Sequence, residues 1–569
     1  MPAWLRHYRR DWLAGDLVAG LIVTVLLVPQ SLAYAMLAGL PPQAGLYASI
    51  LPIVAYALLG SSMSLAVGPA AVCSLMTASL LAPLATQGSP EYTVLAAQLA
   101  LLSGLMLAVF GALRLGFLAH FLSHPVVSGF ITGSAVLIAV GQLRHLLGVR
   151  ADGDNVLHTL AALWHALPQT RPVTLALGAG TLVFLWAARR WLAGLLVALG
   201  LRRATAELLA RLAPMAAVVA SIVLVETLAL DRRAQVAVVG AVPQGLPALG
   251  IAVPGLDTLG ALWLPALLIS LVGFVESVSV ARALALRRGT EAERIVPDRE
   301  LLALGAANLA AGATGGMPVT GGFARSVVNH AAGARTPLAG VVSALLMAIV
   351  IATMTDLLRS LPHAVLAATI IIAVTSLIDL DTLREAWHYD RADAFALVAT
   401  AAGVVLLGVE AGILLGVALS LGTLIWRSSH PHIAVIGRVP GTEHFRNLRR
   451  HTVLTEPGLL AVRVDESLYF ANAGTFEDRV EALVAADRTV RRVLLVCSAV
   501  NQIDTTALGM LTRLERALAG RGIVLWLAEV KGPVMDRLAD TELGTRLRGR
   551  IFLSTHEAFL RAAADREHP

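Results

Sequence analysis

Roughly the first 425 positions of this chain are a succession of apolar runs of about 20 residues, and a run of that length crosses a bilayer as one helix. Lipid offers no hydrogen bonds, so the backbone of each run has to satisfy itself. About 14 candidate spans follow from that ruler. They lie near 16–38, 44–60, 68–86, 94–113, 117–147, 172–190, 213–230, 262–286, 300–315, 321–333, 337–355, 363–378, 392–408 and 410–427.

Two of these spans are broken by Gly and Pro, one in each half. The first break reads Ser64-Leu-Ala-Val-Gly-Pro-Ala-Ala-Val-Cys-Ser74, the second Gly315-Gly-Met-Pro-Val-Thr-Gly-Gly-Phe-Ala-Arg-Ser326. Short interrupted helices at matching places in two halves point to a substrate site near the midplane. Irregular backbone survives at that depth only where protein or a wet cavity satisfies it. The helix after each break aims free N–H groups and a positive dipole end into that cavity. Arg325 adds a fixed cation in the first turns of the second. The combination suits an anion. Span 3 begins at Gly68-Pro69 and span 10 at Gly321-Gly322, and an offset of seven spans makes the two halves an inverted repeat.

Charge is scarce and segregated. The 569 residues are 14% charged and 57% hydrophobic, where a soluble domain carries about 25% charged residues. The net charge of +6 is almost all arginine, Lys531 being the only lysine. In a membrane chain that bias reports topology before nucleic-acid binding. One alternate set of loops holds Arg189, Arg190, Arg202, Arg203, Arg211, Arg282, Arg287, Arg288, Arg294, Arg299, Arg384 and Arg391; the other is poorer. Both termini are therefore expected in the cytoplasm, and an even number of spans agrees. Cys73 and Cys497 fall in different domains, which argues against a disulfide. No cleavable signal peptide is evident.

After the last span the pattern changes. Residues 428–457 read as a polar linker. Beyond it 459–464, 468–470, 492–497, 523–528 and 551–553 read as strands, and 474–486, 507–519, 533–540 and 556–563 as helices. Strands alternating with short helices make a small α/β domain. The expected organisation is a membrane domain at 1–427, a linker at 428–457 and an α/β domain at 458–569.

Within the spans, few residues could carry chemistry. Glu276 is flanked by apolar residues midway along its span, where an ionisable side chain faces a cavity or is protonated. Burial favours the neutral carboxyl and a nearby cation the ionised one, a balance that suits proton coupling. The alternative is a packing bond to a neighbouring helix. Arg325 offers a forked donor for an oxyanion, or else a salt bridge to Glu276. Gln30 and Tyr34 share one helix face and can donate to an oxyanion, or else bond between helices. His120, His124 and His145 lie near span ends without metal-site spacing. No phosphate-binding loop and no nucleophile–base pair is legible. In the tail, Asp504, Thr505 or Thr506 would cap a helix, and phosphorylation of a Thr there would add charge at its N-terminus.

The stretches Val28-Pro-Gln-Ser-Leu-Ala-Tyr-Ala35, Ala38-Gly-Leu-Pro-Pro-Gln-Ala-Gly-Leu-Tyr47, Ser64–Ser74, Gly273–Ala283 and Pro318–Pro337 resemble the SulP (sulfate permease) family of anion transporters, over nearly the whole chain. The tail resembles that family's STAS domain. Asp504-Thr-Thr506 matches the position of the phospho-loop of anti-sigma-factor antagonists, with Thr in place of both Ser residues and Ala507 in place of Gly. The resemblance implies an α-helical polytopic membrane domain of 7+7 inverted repeats, with spans 1–4 and 8–11 as core and 5–7 and 12–14 as gate, plus a C-terminal cytoplasmic α/β STAS domain. It implies substrate contacts from Gln30, Tyr34, the backbone at Ala70 and Ala71, and Phe323, Ala324, Arg325 and Ser326. Glu276 would be the proton-coupling acid and Asp504, Thr505 and Thr506 a regulatory loop. A homodimer is implied as well.

The expectation is a secondary active anion transporter of the cell (plasma or inner) membrane, not an enzyme. It would use alternating access, with proton-coupled sulfate uptake ahead of a bicarbonate or C4-dicarboxylate carrier, an exchanger or a channel-like member. No cofactor or metal is expected; the co-substrate is a proton before sodium. The STAS-like tail is also a candidate binding module for a cytosolic partner.

Overall fold

The computed structural model describes residues 3–6, 8–120, 123–151, 153, 155–287 and 295–567. They fall into two compact units, Met1–Ser420 and Leu421–Pro569.

Each candidate span coincides with a helix. In chain order these are α1 (Leu13–Leu37), α2 (Pro42–Leu59), α3 (Ala71–Leu81), α4 (Pro90–Ala112), α5 (His124–Leu147), α6 (Pro172–Ala198) and α7 (Ala213–Leu228). The second half continues with α8 (Leu256–Arg287), α9 (Pro297–Ala313), α10 (Phe323–Ala331), α11 (Leu338–Thr353), α12 (His363–Thr375), α13 (Arg391–Leu407) and α14 (Val409–Ser429). Among the described residues, eight helical segments are long and apolar enough to cross a bilayer unaided. The broken helices are not: α3 has 11 residues and α10 has 9. Proline at the first helical positions starts α4, α6 and α9, where its missing N–H costs nothing. Gly148, in the left-handed region at φ 70°, ends α5.

The helices pack as two groups. In the core, α9 lies against α4 and α2, and α11 against α1 and α2. In the gate, α5 lies against α12 and α13, and α6 against α12. Small residues set the distances. A Cβ on Gly104 of α4 would stand 2.6 Å from the Leu309 nitrogen of α9, and one on Gly129 of α5 would stand 2.3 Å from the Leu397 carbonyl of α13. Contact at backbone range is how membrane helices gain packing energy without a hydrophobic drive. The two breaks meet as a two-stranded antiparallel sheet. Its strands are β1 (Val67–Gly68) and β2 (Thr320–Gly321), with Val67 opposite Gly321 and Gly68 opposite Thr320.

The second unit holds a six-stranded sheet. Its strands are β3 (Ile433–Arg438), β4 (Phe445–Asn447), β5 (Leu459–Val464), β6 (Arg492–Val496), β7 (Val524–Ala528) and β8 (Ile551–Phe552), in the order β4-β3-β5-β6-β7-β8. The pairs from β5 to β8 are parallel; β3 pairs antiparallel with both neighbours. One apolar layer, including Phe476, Leu511 and Leu514, covers one face of the sheet. Another, including Trp526 and Phe559, covers the other. β3 and β4 fall in the stretch expected as a linker: Ile433–Arg438 alternates weakly, and only pairing with β5 buries Ala434 and Ile436. Residues 468–470, expected as a strand, make a single bridge from Leu468 to Ile503.

Candidate functional site

The paired breaks bring the starts of α3 and α10 to one place. Ala70, in extended conformation (φ −134°, ψ 149°), leads into α3, and Gly322 (φ −80°, ψ 126°) leads into α10. The first intrahelical bonds are Ser74 N–H to Ala70 O at 2.9 Å and Ser326 N–H to Gly322 O at 3.0 Å. The N–H groups before them, at Ala71, Val72 and Cys73 and at Phe323, Ala324 and Arg325, have no partner inside their helices. Two positive dipole ends therefore share a few residues of midplane backbone.

Arg325 is fully buried and reaches across to the opposite break. Its Nε and Nη2 donate to Ala66 O at 3.3 and 3.2 Å, and its Nη1 donates to Pro69 O at 3.2 Å. The approach is so close that a Cβ on Gly68, whose φ is +154°, would sit 3.2 Å from the guanidinium. Only glycine fits there without moving the cation. Arg325 makes no ion pair with Glu276; the guanidinium rests on carbonyls alone. A buried cation beside two helix N-termini, hydrogen-bonded to carbonyls and to no carboxylate, has the chemistry that suits an anion.

Seven of the expected site residues line one small pocket of about 30 Å³: Gln30, Tyr34, Ala70, Ala71, Glu276, Phe323 and Arg325. Gln30, Tyr34 and Arg325 also form the inner end of an open cavity of about 470 Å³. Its outer end is bounded by Arg189, Glu207 and Ala210, on the face that carries the arginine-rich loops. Glu276 is 9% exposed, and its Oε2 has no hydrogen-bond partner. Ser326 stands apart: its hydroxyl donates to Gly322 O at 2.7 Å and accepts from Ala66 N–H at 2.9 Å, so it ties the two breaks together. Ala324 lies in α10, and its side chain is outside the described set.

Sequence reasoning passed over the residues that hold this backbone in place. Ser277, one residue after Glu276, accepts from Gly321 N–H at 2.9 Å and bonds Thr320 Oγ1 at 2.8 Å. Asn308 accepts from Val319 N–H and donates to Val319 O, each at 2.9 Å. Asn329 donates to Ser64 O at 3.0 Å. The buried Glu300 carboxylate accepts from Tyr56 OH, Ser61 N–H and Ser61 Oγ, each at 2.7 Å, fixing the turn before β1. Asp16 accepts from Arg335 N–H at 2.7 Å and Thr336 Oγ1 at 2.6 Å, fixing the turn after α10. Amides at span interiors and acids just inside span ends were the available signal.

In the second unit, Asp504 is the cap. Its Oδ1 accepts from Ala507 N–H and its Oδ2 from Phe470 N–H, both at 2.8 Å. Thr505 and Thr506 begin the following helix, α15 (Thr505–Gly520), and are exposed. Cys497, in the same loop region, is buried; burial and then Glu529 push its thiol up to about 12, so it is a poor nucleophile at neutral pH. Among the described residues no His, Cys, Asp and Glu side chains group to hold a metal ion.

Comparison with known proteins shows the family and the fold. The sulfate permease family model matches residues 13–400, and the STAS domain model residues 451–558. The chain is 38% identical over 540 residues to a protein of Mycobacterium tuberculosis named "Probable sulfate transporter", covering 95% of this chain and 93% of the relative. It is 33% identical over 570 residues to the chloroplastic sulfate transporter 4.1 of Arabidopsis thaliana, covering 98% and 81%. Among solved structures, murine Solute Carrier 26 family member A9, an anion transporter in its inward-facing state, superposes with a TM-score of 0.88 at 23% identity, covering 99% and 93%. That likeness shows the fold of 7+7 membrane helices with a C-terminal α/β domain. The chain belongs to the sulfate permease family: it is a multi-pass membrane anion transporter, not an enzyme, with a STAS domain at its C-terminal end.

Proposed function

We propose that this protein takes up sulfate together with protons by alternating access. The observation that carries the reading is Arg325: a buried guanidinium between two helix N-termini, held by carbonyls and facing a cavity, with no carboxylate paired to it. A tetrahedral oxyanion there would receive the guanidinium fork, main-chain N–H groups from both breaks, and the side chains of Gln30 and Tyr34. Phe323 would wall the pocket. Glu276 lines the same pocket, so its negative charge opposes a bound anion and its protonation favours one. Anion and proton would thus bind cooperatively, which is symport in its simplest form. The wide cavity on the arginine-rich face supports an inward-open state, with that face and both termini in the cytoplasm of a cell-membrane protein. The core would carry the site past the gate. We further read the protein as a homodimer whose Asp504–Thr506 loop takes part in regulation.

The test is uptake of labelled sulfate, bicarbonate and fumarate into proteoliposomes, with and without an inward proton gradient. Gradient-driven sulfate accumulation, lost in Glu276→Gln, is the expected result. Equilibration without accumulation would instead make the protein an exchanger or channel and leave Glu276 a structural residue. One observation favours a second reading. Among the described residues Glu276 is the only carboxylate lining the pocket, and one proton neutralises a monoanion such as bicarbonate but not sulfate.

A further inference from the structure

Glu276 has two sides. One faces the anion pocket. The other faces a side cavity of about 20 Å³ between core and gate, lined by Val126, Phe130, Val275, Glu276, Thr400 and Ile413 among others. That volume is room for one water molecule. Its walls are apolar with two exceptions, Glu276 from α8 of the core and Thr400 from α13 of the gate. Thr400 is fully buried. Its hydroxyl proton is already committed, donating to Ala396 O at 2.7 Å, so what it offers the cavity is lone pairs. Glu276, the other polar residue of this lining, has a buried Oε2 without a partner. A cavity whose one other polar side chain is an acceptor with a fixed proton matches the protonated acid, which needs somewhere to donate. It does not match the carboxylate, which would meet only another oxygen.

We propose that Thr400 is the positioning residue for the coupling proton: protonated Glu276 donates across the side cavity to Thr400 Oγ1, directly or through one water, and ionised Glu276 turns to the Arg325 side. This rests on the reading of Glu276 as the coupling acid. Among the described residues, the charged or titratable groups near Glu276 are Arg325 from α10 and Tyr34 from α1, which line the anion pocket, and Cys73 from α3, which interacts with it electrostatically. On the gate side, α5, α13 and α14 line the cavity, among the described residues, with apolar side chains and Thr400 alone. The protonation state is thereby read by the gate helix as well as by the anion. A core carrying a proton keeps its contact with α13; a core that has lost its proton without its anion does not.

The experiment is the external pH profile of uptake by full-length protein in proteoliposomes, using whichever of sulfate, bicarbonate and fumarate the wild type carries. Thr400→Val keeps the shape and removes the acceptor. It should move the midpoint of acid stimulation down by about one pH unit, a tenfold loss of proton affinity, while the rate at saturating acidity stays near wild type. Thr400→Ser should restore the wild-type profile. Thr400→Ala replaces the Val variant if the latter does not assemble. A wild-type profile in the Val or Ala variant, alongside Glu276→Gln that has lost acid stimulation, overturns the role of Thr400 and leaves the coupling acid standing. Acid stimulation that survives in Glu276→Gln removes the coupling acid itself, and the role of Thr400 with it.

Discussion

At the scale of single residues, the candidate site is built on one cation and the glycine that makes room for it. Arg325→Ala removes three donor contacts to Ala66 and Pro69 as well as the fork toward an anion. Hydrogen bonds to a charged group are worth about 1.5–3 kcal/mol, so KM for the anion should rise ten- to a hundredfold. Arg325→Lys keeps the charge but cannot fork, and should fall between. Uptake kinetics beside a thermal melt in detergent separate the two effects; a variant that melts early with an unchanged KM would make Arg325 a clamp only. Gly68→Ala should reproduce the KM defect with the arginine itself unchanged in sequence, because the new methyl meets the guanidinium at 3.2 Å. Ser326→Ala, by contrast, leaves Ala66 N–H unsatisfied. It should lower stability by about 1–3 kcal/mol with little change in which anion is preferred. These residues were legible in unequal degree. Arg325, Glu276, Gln30 and Tyr34 stand out because polar side chains at midspan are rare. Ser326 looks the same as a ligand and as a clamp until its hydroxyl is seen to bond Ala66. The absence of an Arg325–Glu276 bridge was not legible, since sequence places both at midplane but says nothing of which carbonyls lie between.

Among the elements, an extended segment over 236–255, between α7 and α8, crosses the face opposite the arginine-rich loops and touches both halves of the machine. On the gate side Val239 N–H donates to Leu361 O at 2.9 Å, His363 N–H donates to Ala237 O at 3.0 Å, and Val238 bridges to Pro362. On the core side Gly250 N–H donates to Ala313 O at 2.9 Å and Gly245 N–H to Ile351 O at 3.4 Å. If core moves against gate, one set of anchors has to release, and the core set is the thinner. A disulfide between Gly250→Cys and Ala313→Cys should therefore arrest uptake until reduced. One between Val238→Cys and Pro362→Cys should leave uptake running. The native Cys73 and Cys497 are buried and do not compete. Equal activity of both oxidised pairs would mean the segment follows the core. This segment gives no sequence signal because it has no period, only Gly, Pro and Gln244 between apolar residues. The spans themselves were plain, since 20 apolar residues admit one structure in lipid. β3 and β4 were not, because short strands at a sheet edge are specified by their neighbours more than by their own pattern.

For the whole molecule the decisive quantity is charge carried per cycle. With Glu276 as the coupling acid, a single pocket carboxylate would supply one proton, and sulfate with one proton would move a net −1 inward. Against 100 mV, inside negative, that costs about 2.3 kcal/mol, while one pH unit returns about 1.4 kcal/mol. At zero potential the gradient alone supports roughly tenfold accumulation; at 100 mV the balance is unfavourable by about 0.9 kcal/mol, and the internal level should fall to about a fifth of the external one. A monoanion carried with one proton feels no potential and should reach about tenfold in both conditions. Proteoliposomes clamped with a potassium gradient and ionophore, at a fixed difference of one pH unit, measure this directly. With sulfate as substrate and Glu276 as sole coupling acid, accumulation at zero potential should collapse when the interior is made negative. Sulfate accumulation that withstands the potential would require a second proton, and with it a titrating group beyond Glu276. Accumulation of bicarbonate or hydrogen-fumarate that ignores the potential, with no sulfate uptake, would assign the protein to the monoanion carriers while keeping the same arginine, the same breaks and the same coupling acid.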